Sequence, residues 1–184
     1  MIEIENFLDF PENIIDYAKE ANFVDEESPY DGIVYPLICK DIPEKILYDA
    51  MYNLTYKAMG RMPKDPVCFM RRSPEGQPVP HRYHTDNSMG AYSMMLYLED
   101  NPDAGTGFAR HEETGLTTAP VTAASLNKTI KDCNDDSKWQ IYKVAEMVKN
   151  KAVIFDSHLF HVALPIGGFG KGKESRTVFT CFFS

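Results

Sequence analysis

"KAVIFDSHLFHVALPIGGFGKGKESRTVFTCFF" occupies residues 151–183. Its two ends, "KAVIFDS" and "RTVFTCFF", are near-continuously apolar and rich in β-branched and aromatic residues, which suit strands. A half-buried strand alternates apolar and polar residues. These runs do not, which predicts two strands buried on both faces. Between them stand two histidines three residues apart, His158 and His161, then Pro165 and a glycine-rich stretch.

Working outward, more short aromatic runs precede them: "VCFMRR" from Val67, "VPHRYHTD" from Val79, "AYSMMLYLED" from Ala91 and "TGFARHE" from Thr106. "SPEGQP", "NSMG" and "NPDAG" break them, which reads as antiparallel strands joined by tight turns. "NDDSKWQ" reads as a loop, with Trp139 as a packing anchor, and "LTTAPVTAASLNKT" is ambiguous. The Met-rich "SMGAYSMMLY" reads as core filling.

The N-terminal third is different. "LDFPENI" and "KDIPEKI" each carry an aspartate, a proline two residues on and a glutamate three residues on. This is helix-start chemistry, with Asp9 and Asp41 as expected N-caps. After the second start, Ile46, Leu47, Ala50, Met51, Leu54 and Ala58 recur at helical spacing until about Gly60. Helices followed by many strands predict a mainly β member of the α+β class. Residues 1–62 are expected to be a helical support and residues 63–184 a β core, together one domain.

The chain has 184 residues, 25% of them charged and 43% hydrophobic, an ordinary composition for one globular domain. The formal net charge is −8, yet residues 1–50 hold 13 acidic against 3 basic residues, and the rest is near balance. The 4 cysteines have irregular gaps and no C-x-x-C pair, so free thiols in a reducing, cytoplasmic setting are expected. No signal peptide and no membrane-spanning run is visible.

"HTD" at His84–Asp86 carries the first chemistry. On a strand, residues i and i+2 share a face. An imidazole and a carboxylate aimed at one point, joined by a second histidine, would form the facial triad of non-haem Fe(II) oxygenases. His158 and His161 differ by an odd number, so on a continuous strand only one looks inward. The same holds for His81 and His84, which makes a four-histidine zinc site awkward. "GGFGKGKE" nearly matches a phosphate-binding P-loop, but Glu174 replaces the metal-binding hydroxyl and no helix follows, so it reads as a loop beside the site. Arg71, Arg72 and Arg82 read as a solvated face, and His111 as a surface residue.

In order, "HTD", "YLED", "AGTGF", "SHLFHVALP" and "RTVFTCFF" resemble the 2-oxoglutarate- and Fe(II)-dependent dioxygenases. The likeness is to the prolyl-hydroxylase-like branch, including small bacterial and phage-type members, and it runs from about Pro80 to the C-terminus. It implies a double-stranded β-helix, or jelly roll. It also implies His84, Asp86 and His161 as iron ligands, the last four residues before Pro165. His158 and His81 then become neighbours at the mouth. The resemblance further implies 2-oxoglutarate held by Arg176, Tyr97 and Thr180. The implied activity is hydroxylation of a C–H bond of a peptide side chain or small molecule, using O2, yielding succinate and CO2, with ascorbate as auxiliary reductant. Neither a membrane nor nucleic acid is an expected partner. Three positions depart from the family pattern. Arg176 lies 15 residues beyond His161, Glu99 replaces an asparagine, and Val178 stands where some members have serine. Two rivals are a cupin-like metalloenzyme that does not use 2-oxoglutarate and a non-catalytic jelly-roll binding module.

Overall fold

The computed structural model describes residues 1–27 and 32–184. The strands are β1 (Ile2–Ile4), β2 (Val24–Glu27), β3 (Val34–Cys39), β4 (Val67–Ser73), β5 (Tyr92–Tyr97), β6 (Asn101–His111), β7 (Trp139–Met147), β8 (Ala152–Asp156), β9 (His161–Leu164) and β10 (Arg176–Phe183). The α-helices are α1 (Glu12–Glu20), α2 (Glu44–Leu54) and α3 (Ala123–Asp132). A seven-stranded sheet runs β1-β8-β5-β10-β4-β3-β2 and a three-stranded sheet runs β7-β6-β9. Their strand pairs are antiparallel.

Strand parity decides what each face of the large sheet meets. Met70 of β4, Met94 and Leu96 of β5, Ala152 and Ile154 of β8, and Phe179, Cys181 and Phe183 of β10 join Ile14, Ala18, Ile46, Ala50 and Leu54 of α1 and α2 in one core. The intervening residues face the small sheet: Tyr97, Val153, Phe155 and Val178 pack with Phe108 of β6 and Ala145 and Met147 of β7. The two runs that opened the sequence reading are therefore covered on both sides. All eight residues of β10 are buried.

Several expectations are corrected. Residues 1–62 are not only helical: β1, β2 and β3 extend the large sheet at both edges. β1 and β2 are hidden because they are short and acidic, and β3 because Pro36 interrupts it. Asp9 and Asp41 do not cap. Pro11 and Pro43 stand at the N-caps with no side-chain cap bond. Asp9 instead pairs with Lys57 at 3.1 Å, and the Asp41 carbonyl accepts from the Tyr17 hydroxyl. The second helix does run to Gly60, by way of a π-helical turn over Thr55–Met59, and Gly60 closes it at φ 67°. The ambiguous segment holds the start and most of α3, capped by the Thr122 side chain accepting from the Ser125 N–H. Trp139 is a buried anchor, as expected, but it opens β7 rather than sitting in a loop.

Candidate metal centre

His84 and Asp86 do not lie on a regular strand. They belong to an extended segment that touches β9 at a single bridge, His84 opposite His161. His84 N–H donates to the His161 carbonyl at 3.1 Å, and His161 N–H donates back at 3.0 Å. Asp86 N–H donates to Ser157 O at 2.9 Å, which fixes the segment two residues later. The period-two argument thus brings the same two side chains together through locally extended backbone. One bridge does what a strand was expected to do.

The three side chains converge. His161 Nε2 lies 3.1 Å from Asp86 Oδ2, and His84 Nε2 lies 3.6 Å from Asp86 Oδ1. One ligand atom from each falls within 4.8 Å of the others. The His161 side chain is 4% exposed, Asp86 14% and His84 33%, so the group opens toward solvent on the His84 side. Phe155 stands edge-on to the His161 ring at 4.9 Å, an apolar wall behind the site.

Both imidazoles are held in one tautomer. His84 Nδ1 is 3.0 Å from the Arg82 carbonyl, and His161 Nδ1 is 3.0 Å from the Leu159 carbonyl. A carbonyl only accepts, so each Nδ1 carries a proton. A ring without a proton on Nε2, the form that binds a metal, then presents that nitrogen's lone pair to the centre, as metal-ligating histidines do. Burial, with His161 beside it, pushes His84 down to about 4. Burial would raise the Asp86 carboxyl, but the imidazoles, His161 foremost, and the Ser93 hydroxyl outweigh it and hold it at about 2. Burial would also lower His161, but the Asp86 carboxylate overrides this and raises it. Two imidazole nitrogens and one ionised carboxylate on one side of a point are a donor set suited to a divalent cation.

Arg176 opens β10 opposite Ser73 and faces the space between the sheets. It is 4% exposed, and its Nη2 donates to Gly105 O at 3.3 Å. Its Nε is buried without a partner. Burial, the largest influence, drops Arg176 to about 10. Arg176 and His84 line one cleft with Arg71, Ser73, Val79, His81 and Pro165. Tyr97 and Thr180 share the inter-sheet face but do not line this cleft. The Tyr97 hydroxyl donates to Thr106 Oγ1 at 2.8 Å, and Thr180 Oγ1 meets Met95 Sδ at 3.4 Å. Glu99 accepts from the Thr177 N–H at 3.1 Å at the start of the same strand.

The two histidines of the opening stretch separate clearly. His158 lies in a turn, its side chain 53% exposed and 2.9 Å from Asp156. His161 is at the centre. The odd-spacing rule holds for a continuous strand, whereas here a turn divides the pair. Two further readings are corrected. His111 is not a surface residue: it is fully buried, 3.1 Å from Asp132. Nor do the arginines form one solvated face. Arg72 packs over the Phe23 ring at 4.1 Å, Arg82 pairs with Asp136 at 3.2 Å, and Arg71 enters the cleft.

The glycine-rich stretch is a built wall of that cleft. Phe169 N–H donates to Ser73 O at 3.1 Å, Gln77 N–H to Gly167 O at 3.1 Å and Glu75 N–H to Gly170 O at 3.0 Å. A Cβ on Gly168, at φ +75°, would lie 2.1 Å from Ser73 O, so glycine is required there. Only three residues of 3-10 turn follow, and Lys173 is engaged by Glu20 at 2.6 Å. The phosphate cradle is accordingly not built.

Fold and site define a mainly β protein of antiparallel sheets, backed by helices on one face, with a candidate metal site between the sheets. Among solved structures it resembles a Pseudomonas putida prolyl-4-hydroxylase. The identity is 17%, the match covers 99% of this chain and 90% of that one, and the TM-score is 0.53. EvdO2 from Micromonospora carbonacea var. aurantiaca, complexed with 2-oxoglutarate, is more distant, at 14% identity, 92% and 80% coverage and a TM-score of 0.48. The chain belongs to the family described as "Family of unknown function (DUF6445)", which matches residues 1–164, a span that holds His84, Asp86 and His161. No curated protein matches it.

Proposed function

We propose that this protein is an Fe(II)- and 2-oxoglutarate-dependent oxygenase that hydroxylates a C–H bond of a small molecule or peptide side chain. In this reading the two facing sheets are the halves of a double-stranded β-helix. The supporting observation is the convergence of two tautomer-locked imidazoles and an ionised carboxylate beside a buried, incompletely paired arginine. The likeness in fold to a prolyl-4-hydroxylase points the same way.

His84 Nε2, the Asp86 carboxylate and His161 Nε2 would hold the iron. When bound, iron supplies the activation of O2 at the cost of 2-oxoglutarate, which leaves as succinate and CO2. The chain's own residues do the rest. The Arg82 and Leu159 carbonyls keep both rings presented by Nε2. Ser93, near Asp86 at 3.4 Å and bonded to Ser157 at 2.9 Å, orients the carboxylate. Arg176 would receive the far carboxylate of 2-oxoglutarate, because its planar fork matches a carboxylate and its burial strengthens the contact. Phe155 and Phe108, packed edge to face at 5.1 Å, exclude water behind His161.

The test is turnover of 2-oxoglutarate. Protein reconstituted anaerobically with Fe(II) and 2-oxoglutarate should show their charge-transfer band and form succinate when O2 is admitted. Absence of both with Fe(II) and ascorbate present would reject this reading in favour of a metal protein that does not use the cosubstrate.

A further inference from the structure

The cleft contains a second arginine that the chemistry above does not use. In β4, Met70 belongs to the helix-side core, so Arg71 points between the sheets. It stands opposite Val178, while Arg176 stands opposite Ser73. The two arginines are therefore diagonal neighbours on one face of adjacent strands, roughly 7–8 Å apart at the backbone. Each has a buried Nε without a partner. Among the described residues Arg71 donates to no acceptor, and its guanidinium carbon lies 5.9 Å from the Tyr35 ring centroid. Two like charges side by side and partly withdrawn from water are unfavourable unless something negative meets them.

Among the described residues no carboxylate lines the cleft; Asp86 and Glu99 act on Arg71 and Arg176 from outside that lining, without a hydrogen bond to either. The lining contains Arg71, Arg82, His81, His84 and Arg176 and no acidic residue, on a chain of formal net charge −8. Arg82 is already paired with Asp136. Asp86 is committed to His161. The opposite wall, Val79, Val162, Pro165 and Ile166, is apolar. Among the described residues the cleft thus offers two cations with no hydrogen-bonded counter-ion, and an apolar surface.

We propose that Arg71 anchors the substrate. The molecule oxidised here carries a carboxylate, which docks on the Arg71 guanidinium while its apolar body lies against Val79, Val162, Pro165 and Ile166. This rests on the reading that Arg176 holds 2-oxoglutarate. Of that cosubstrate's two carboxylates one would be engaged at the metal and the other by Arg176, so a third anionic group is needed for Arg71. Position agrees: Arg176 is fully buried, whereas Arg71 is only half-buried. It lies one strand further out, toward β3, where an entering molecule would stand.

The test follows the arginine Nε–H signals by NMR, assigned with Arg71→Lys and Arg176→Lys. The protein is loaded with Zn(II) as a diamagnetic stand-in and with 2-oxoglutarate. It is then titrated with hexanoate, benzoate and N-acetylglycine, each beside its primary amide. The cosubstrate should move the Arg176 signal, and at least one acid should then move the Arg71 signal. The amide should bind about ten- to 150-fold more weakly, the usual worth of a hydrogen bond to a charged group. Arg71→Gln should abolish that preference and leave 2-oxoglutarate affinity within about twofold, well below the effect of one such bond. The proposal is overturned if no acid outbinds its amide, or if Arg71→Gln weakens 2-oxoglutarate as Arg176→Ala does, which would give both arginines to the cosubstrate. If the Arg176 signal ignores 2-oxoglutarate, the oxygenase reading itself fails, a result distinct from either.

Discussion

His158 and His161 are three residues apart, and their surroundings give them different chemistry. His161 N–H and C=O are both locked to His84, its Nδ1 is tied to Leu159, and its Nε2 faces Asp86. His158 pairs with Asp156 in solvent, where such a pair contributes little. The expected outcome is that His161→Ala abolishes Fe(II) binding while His158→Ala retains most of it, measured by anaerobic titration. Loss of the metal in the His158 variant would instead place the third ligand one turn earlier. The grouping of His84, Asp86 and His161 was expected from the sequence, where the family resemblance chose His161 over His158, and the three side chains do converge, with Arg176 lining the same cleft as His84. Arg71 was not legible. It is adjacent to Arg72, and the two point to opposite faces, so a basic dipeptide reads as a surface charge until the strand's two sides are known. His111 departs from its expected surface position for a related reason. A histidine near a chain of polar residues gives no sign that its partner, Asp132, lies 21 residues on and covers it.

At the scale of elements, the long apolar strands and α2 could be read directly, since each buries a continuous face and the pattern is local. What could not be read was set by pairing. β1 to β3 exist because the large sheet has open edges, and the segment carrying His84 and Asp86 is held by its bridge to His161 and by the Asp86–Ser157 bond rather than by its own propensity. α3 is fixed from outside as well. Its last residue, Asp132, takes His111 of β6 at 3.1 Å beside its own helix's Lys128 at 3.0 Å, while its carbonyl accepts from Trp139 Nε1 at 2.9 Å. Lys128, the largest influence, and His111 hold the Asp132 carboxyl below its usual range. A carboxyl lowered on folding stabilises above its unfolded pKa, and that contribution is lost as pH falls through the folded value. Asp132→Asn should therefore lower the melting temperature at neutral pH, with the gap to the parent closing as pH drops below the carboxylate range. A gap that persists unchanged in acid would mean that the amide disturbs packing rather than charge.

At the scale of the molecule, the candidate centre joins parts that the fold otherwise keeps separate. His161 belongs to the small sheet, His84 and Asp86 to the segment bridged to it, and Arg176 to the centre of the large sheet. A metal on the triad and a diacid reaching from it to Arg176 would link the two sheets across their interface. Without ligand, that interface holds a buried guanidinium lowered to about 10, first by burial and further by Arg71. Each ligand should then bind better in the presence of the other, by the same factor in either order. The expected measurement is thermal unfolding with Mn(II), chosen because it resists oxidation. At free metal about 100-fold over its Kd, binding adds about 2.7 kcal/mol. For a chain of this size that corresponds to a rise of about 5–11 °C. 2-Oxoglutarate alone should add little, and the two together should exceed the sum of their separate shifts. Glutarate, which lacks the keto oxygen and cannot chelate, should not produce the excess. Arg176→Ala should keep the metal shift and lose the excess, because the arginine is not a metal ligand. Removing a buried charge-assisted contact of this kind costs about 2–5 kcal/mol, or roughly thirty- to several-thousand-fold in cosubstrate affinity. Arg176→Lys should restore part of it, since an ammonium lacks the planar fork. Equal synergy in the parent and in Arg176→Ala would show that another basic group holds the cosubstrate, with Arg71 the first to test.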